Sequence, residues 1–96
     1  MMDGLSIKVK MKDGFEKTYE LSAKVIVGYE YKYKQGFPKL FEDMKYEHLC
    51  WLAWKSMHLD GVVVQPFSPP DQPGFLDDLL DVELDDDPSL KSTATL

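Results

Sequence analysis

Residues 45–59 have the spacing of a helix that is apolar on almost every side, and Asp60-Gly61 would end it. At about 100° per residue, Trp51 and Leu52 point away from the main apolar face, and Trp54 lies on its flank. That main face carries Tyr46, Leu49, Cys50, Ala53 and Met57. A surface helix of a small domain is usually apolar on one face only. The second face therefore needs a cover from this chain, or it is a partner site.

The N-terminal residues predict a β-hairpin. LSIKVKM (5–11) and FEKTYEL (15–21) both alternate apolar and polar side chains, which is the period of a half-buried strand, and Lys17 is the exception on the apolar face. A three-residue loop, 12–14, sets apolar residues opposite apolar ones, whereas a two-residue loop sets them opposite polar ones. We therefore expect the longer loop, with Gly14 in the left-handed position of a G1 bulge.

Residues 22–35, SAKVIVGYEYKYKQ, are compatible with two structures. Their β-branched and aromatic residues favour a strand. A helix is equally supported, because Ser22 is a good N-cap and Gly36 a good residue to follow the last turn. The patterns alone do not decide between them. Residues 38–44 could add a short helix under the core.

The C-terminal part contains a proline-rich connector and an acidic segment. Four of the six prolines lie in residues 62–75, which is typical of a semi-rigid linker. FLDDLLDVEL (75–84) places Phe75, Leu76, Leu79 and Leu80 on one face of a predicted helix, which could extend to Val82 and could cover Trp51 and Leu52. The sequence thus predicts one α+β domain, residues 1–84: a hairpin packed on three to four helices. Residues 85–96 are predicted to be a flexible acidic tail.

Composition narrows the function classes. The 96 residues have a net charge of −6, and the acids concentrate near the C-terminus, so nucleic acid is not expected as a partner. A single cysteine cannot form an internal disulfide and suits a reducing compartment. Neither a secretory signal nor an apolar run of membrane-spanning length is present, so we expect a cytoplasmic protein with no membrane partner.

No residue pattern indicates an enzyme, a metal site or a cofactor. His48 and Cys50 would point about 200° apart on one helix, so they cannot share a metal ion. Cys50 has no nucleophile motif around it, and the acidic C-terminal run lacks calcium-loop spacing. A binding or assembly role remains. The predicted partner-binding residues are the aromatic and apolar groups of the central helix and of the segment facing it: Tyr46, Trp51, Leu52, Trp54, Phe75, Leu76 and Leu79.

Two segments carry a resemblance to a known family. HLCWLAW (48–54) and FLDDLLDV (75–82), followed by an acidic end, are similar to sequences of small tail assembly chaperones of long-tailed bacteriophages. The resemblance covers roughly residues 5–87 and contains no catalytic motif. It implies that residues 22–35 form a helix, although Gly28 inside it costs about 1 kcal/mol.

The resemblance also implies a function. Members of that family bind the tape measure protein in the host cytoplasm, keep it soluble and recruit tail tube subunits, and a longer form often arises by ribosomal frameshifting. For this chain we therefore expect a non-enzymatic chaperone that binds the tape measure protein and helps to recruit tail tube subunits, with direct binding of the tail tube protein and self-association left open. The alternative is a small structural virion protein of the tail or the head–tail connector.

Overall fold

The computed structural model of the protein describes residues 5–86. In chain order it contains β1 (Leu5–Met11), β2 (Glu16–Glu20), α1 (Ala23–Tyr33), α2 (Lys39–Asp43), α3 (Tyr46–Leu59), α4 (Phe75–Asp78) and β3 (Leu79–Asp86). The strands form one antiparallel sheet in the order β2-β1-β3. Helix α3 packs on α1 and on strands β1 and β3. The predicted α+β class, with an N-terminal hairpin against helices, is confirmed.

The hairpin has the register that the apolar pattern predicts. Ile7 lies opposite Tyr19, and the Met11 amide donates to the Phe15 carbonyl at 2.8 Å. Gly14, with φ of +100°, donates to the Met11 carbonyl at 3.1 Å. This left-handed conformation is one that glycine adopts without strain. The three-residue loop and the glycine bulge are therefore confirmed.

Lys17, the one charged residue on the apolar face of β2, is bound at the edge of the core. Its Nζ lies 2.9 Å from Oδ2 of Asp60 at the end of α3, and the Tyr19 hydroxyl donates to the same oxygen at 3.3 Å. The hydrogen bond from Lys17 is the main reason that the pKa of Asp60 lies below its usual range. This ion pair links β2 to α3 while both charges remain in contact with water.

The predicted helix over residues 75–84 is wrong. Only Phe75–Asp78 is helical, and Leu79–Asp86 is a strand that pairs with β1. Val82 lies opposite Val9 inside the sheet, and Asp81 and Glu83 lie opposite Lys10 and Lys8 on the other face. Strand β1 therefore has partners on both sides, and β3 takes the pairing edge that the hairpin alone leaves open.

Strand β3 extends past the predicted domain boundary. Asp85 and Asp86 pair with Ser6 and Leu5, although the sequence analysis placed both in the tail. The rest of the predicted tail, 87–96, lies outside the described residues. Across residues 5–86, no helix combines the length and the apolarity needed to cross a bilayer.

Residues 22–35, which the patterns left undecided, form α1. The Ser22 hydroxyl accepts a hydrogen bond from the Val25 amide at 3.4 Å, as an N-cap does. The helix ends at Tyr33, and the left-handed residue that follows it is Lys34, with φ of 58°, and not the predicted glycine at position 36. The implied helix is therefore confirmed, with an earlier end.

Helix α3 is the centre of the core. Eight of its fourteen residues are buried, which means that neighbouring elements cover more than half of its circumference. Leu52 and Ala53 are fully enclosed, and Met57 is almost so. The short α2 adds Leu40 beneath this core, but leaves Phe41 and Met44 on the surface.

Ser56 on α3 offers a test of this packing. Its hydroxyl is buried and, within residues 5–86, has no hydrogen-bond partner. A buried polar atom without a hydrogen-bond partner loses its hydration energy on folding and gains no hydrogen bond in exchange. Ser56→Ala is therefore expected to raise the free energy of unfolding by about 1 kcal/mol. Urea denaturation of both proteins measures it, and a less stable variant would mean that the hydroxyl has a partner in solution.

Candidate partner-binding surface

The seven predicted partner-binding residues differ widely in exposure. Trp51, Leu52, Phe75 and Leu79 are buried in the core, Trp54 and Leu76 are half-buried, and Tyr46 is 52% exposed. In this conformation a partner could contact Trp54, Leu76 and Tyr46. The four buried residues would contact a partner only if the core opened.

Helix α1 covers Trp51, for which the sequence had suggested residues 75–80. A Cβ atom placed on Gly28 would lie 3.1 Å from Cη2 of Trp51, so the indole lies directly against the bare backbone of α1. Tyr33 contacts it from the next turn, with ring centroids 6.2 Å apart. The helix-breaking cost of Gly28 thus has a packing reason: a larger residue would hold the two helices apart.

The proline connector covers Trp54. The indole N–H of Trp54 donates to the Gln65 carbonyl at 2.9 Å, and Phe67 lies 6.1 Å from its ring. Phe67 in turn contacts Phe75, with 6.5 Å between centroids. On the other side, His58 stacks on Trp54 at 5.2 Å. The segments that carry the family resemblance are therefore joined by a continuous series of aromatic contacts through Phe67.

A buried polar network joins α1 to the start of α3. The side chain of Gln35 donates to the Tyr29 hydroxyl at 2.8 Å, and the same hydroxyl is hydrogen-bonded to Nδ1 of His48, also at 2.8 Å. Tyr33 lies over the imidazole with 3.9 Å between centroids. Burial is the main cause that lowers the pKa of His48 below its ordinary value of 6.5. His48 is therefore neutral in the native protein near pH 7.

This network predicts a pH dependence of stability. Because the folded pKa of His48 is lowered, the unfolded chain binds more protons than the folded one below about pH 6.5. The contribution of neutral His48 to the free energy of unfolding is complete above pH 6.5, and it is lost as the pH falls through the pKa of His48 in the folded protein. The melting temperature of the wild type should therefore fall between pH 7.5 and 5.5, and that of His48→Gln should fall less. Equal losses would show that His48 does not titrate with unfolding.

Cys50 is an unreactive thiol in this fold. Burial raises its pKa to about 11, with Glu47 and Asp81 adding to the effect, so very little thiolate forms near neutral pH. Within the described part of the chain, no cluster of three or more His, Cys, Asp or Glu side chains could hold a metal ion.

An open groove between α1 and α3 was not predicted from the sequence. Its volume is about 550 Å³, and it is lined by Ala23, Lys24, Val27, Gly28, Lys55 and Leu59. Val27 and Leu59 are 49% and 43% exposed, so the aliphatic part of the lining is open to solvent. We call this surface the α1–α3 groove. The one sequence feature that could have indicated this groove is Gly28 inside a helical pattern. A glycine that destabilises a helix often marks a place where another element packs close to the helix backbone.

A smaller cleft lies where the connector crosses the ends of the two helices. Its volume is about 200 Å³, and Lys32, Glu47, residues 67–70 and Leu76 line it. Phe67 and Leu76 are both half-buried there. Of the predicted partner-binding residues, Leu76 therefore lies at this cleft. Tyr46 lies elsewhere, beside β3, where its hydroxyl donates to Asp81 at 3.3 Å.

Comparisons with protein-family models, curated proteins and solved structures find no match to this chain.

Proposed function

We propose that this protein is a non-enzymatic assembly chaperone of a long-tailed phage, which binds the tape measure protein, keeps it soluble in the host cytoplasm and helps to recruit tail tube subunits. The single observation that carries the proposal is the open α1–α3 groove, with half-exposed Val27 and Leu59 on a small acidic domain. A chaperone must offer apolar surface to its client while it remains soluble itself. The net charge of −6 favours that solubility.

The resemblance adds support from the arrangement of its motifs. HLCWLAW lies on α3 and FLDDLLDV forms α4 and the first half of β3. The first motif contains Trp51 and Trp54, and the aromatic contacts through Phe67 connect it to Phe75 in the second. Both motifs therefore build one core, on which the exposed groove and the connector cleft depend.

The test is co-expression with the tape measure protein encoded in the same genome. We expect the client to be found in the soluble fraction only when this chain is present, and to co-purify with it. As a matched control, the client is co-expressed with an unrelated acidic domain of similar size and charge. If client solubility does not change between the two, the chaperone function is excluded.

Particle composition separates the proposal from a structural role. An assembly chaperone leaves the finished particle, whereas a tail or head–tail connector component stays. Mass spectrometry of purified virions should therefore find the tail tube and tape measure proteins without this chain. Stoichiometric amounts of the chain in mature particles would support the structural alternative instead.

A further inference from the structure

We propose that the α1–α3 groove docks an amphipathic helical segment whose apolar stripe is flanked by aspartate or glutamate. This inference deepens the proposed function, because it assigns the chemistry of the client segment. It rests on the proposed function only where it names the client. The groove has one aliphatic wall from each helix, Val27 on α1 and Leu59 on α3. Its floor is the backbone of Gly28, with Trp51 directly below.

The backbone of the groove walls favours a helix as the occupant. Both walls are α-helices, whose N–H and C=O groups are bonded within each helix. An extended peptide needs free backbone donors and acceptors to add to a sheet edge, and these walls do not supply them. A third helix satisfies its own backbone and buries only its apolar stripe, as helices in grooves do.

Charge complementarity determines the flanks of the occupant. The ionisable residues that line the groove, Lys24 and Lys55, are both basic. Within residues 5–86 Lys24 and Lys55 form no salt bridge, although the Nζ of Lys55 lies 5.9 Å from the centroid of the Trp54 ring. At close range these two lysines favour a segment with acidic flanks over a basic one, against the net charge of −6 of the whole chain.

The proposal is tested first with two synthetic peptides. Both are amphipathic helices with the same leucine stripe, and one carries glutamate and the other lysine on both flanks. We expect the glutamate peptide to bind, with about tenfold or greater preference over the lysine peptide at low salt, and the preference to shrink as salt rises. Intrinsic tryptophan fluorescence, to which Trp51 and Trp54 both contribute, reports binding, and a Trp54→Phe variant isolates the signal of Trp51. Equal binding of the two peptides would overturn the proposal.

Charge reversal locates the site. Lys24→Glu/Lys55→Glu should weaken the glutamate peptide about tenfold or more and strengthen the lysine peptide. The matched control, Lys12→Glu/Lys45→Glu, has the same net charge and changes exposed lysines outside the groove. Circular dichroism checks the folding of each variant, and Val27→Ser provides a second test by removing one apolar wall. Equal effects of the two double variants would contradict a groove site.

Co-expression with the tape measure protein separates the two proposals. If wild type and the groove variants all solubilise the client, the groove inference fails and the chaperone function stands. If wild type does not solubilise it but the peptides behave as expected, the function fails and the groove stands. If wild type forms dimers that only the groove variants dissociate, the occupant is a second copy, and the proposed partner is wrong.

Discussion

Trp51→Ala is expected to lower the free energy of unfolding by about 3–5 kcal/mol, a large part of the stability of a domain this small. The indole is only 6% exposed and fills the space between α3 and the bare backbone of Gly28. Removing it leaves a cavity between α1 and α3, which the hydrogen bond between Tyr29 and His48 also holds together. Urea denaturation followed by circular dichroism measures the loss.

Trp54→Ala is the matched control for this prediction. Trp54 is the same residue type on the same helix, but it is half-buried and bonded to the connector at Gln65. Its loss should cost about 1–2 kcal/mol, because less apolar surface is removed from contact. Equal losses in the two variants would show that Trp51 is not packed between the helices. A Trp51 variant that fails to bind a client therefore does not identify a contact site.

The hairpin could be predicted from the sequence because the residues that determine it are close together in the chain. The alternation of β1 and β2 fixes which face is buried, and one glycine in the loop fixes the register. The length and position of α3 could be predicted for the same reason, since its apolar residues recur at helical spacing over four turns.

Strand β3 could not be predicted because its pattern is interrupted. Met11 pairs with Leu79 and Lys10 with Asp81, so Leu80 is an extra residue that bulges from the ladder. The bulge places two leucines in succession and imitates the apolar stripe of a helix across residues 75–80. What decides the structure is the open edge of β1, where Lys8 and Lys10 lie opposite Glu83 and Asp81. That partner is more than sixty residues away in the chain.

The candidate site was missed for a related reason. Aromatic residues predict binding only if they are exposed, and exposure depends on which element packs on which face. The sequence suggests residues 75–80 as the cover of Trp51, whereas the backbone of α1 at Gly28 lies against it. The groove depends on the approach of α1 to α3 at Gly28, which brings Val27 beside Leu59. Neither aliphatic residue is distinctive in its own segment.

Val82→Asp is expected to unfold the domain or to lower its free energy of unfolding by at least about 3 kcal/mol. Val82 is 4% exposed and lies opposite Val9 at the centre of the sheet. A carboxylate there would be buried without a cation, because the lysines of β1 point to the other face of the sheet, opposite Asp81 and Glu83. The loss is measured by thermal and urea denaturation.

Leu80→Asp is the control that distinguishes a strand from a helix at this position. In the helical reading Leu80 belongs to the buried stripe, so an aspartate there would be at least as damaging as one at residue 82. In the observed strand Leu80 is the bulged residue and is 62% exposed, so its replacement should change stability by less than about 1 kcal/mol. A severe Leu80→Asp phenotype beside a mild Val82→Asp one would contradict the pairing of β3 with β1. The pairing buries Val82 and leaves Leu80 in water, whereas the predicted helical stripe buries Leu80.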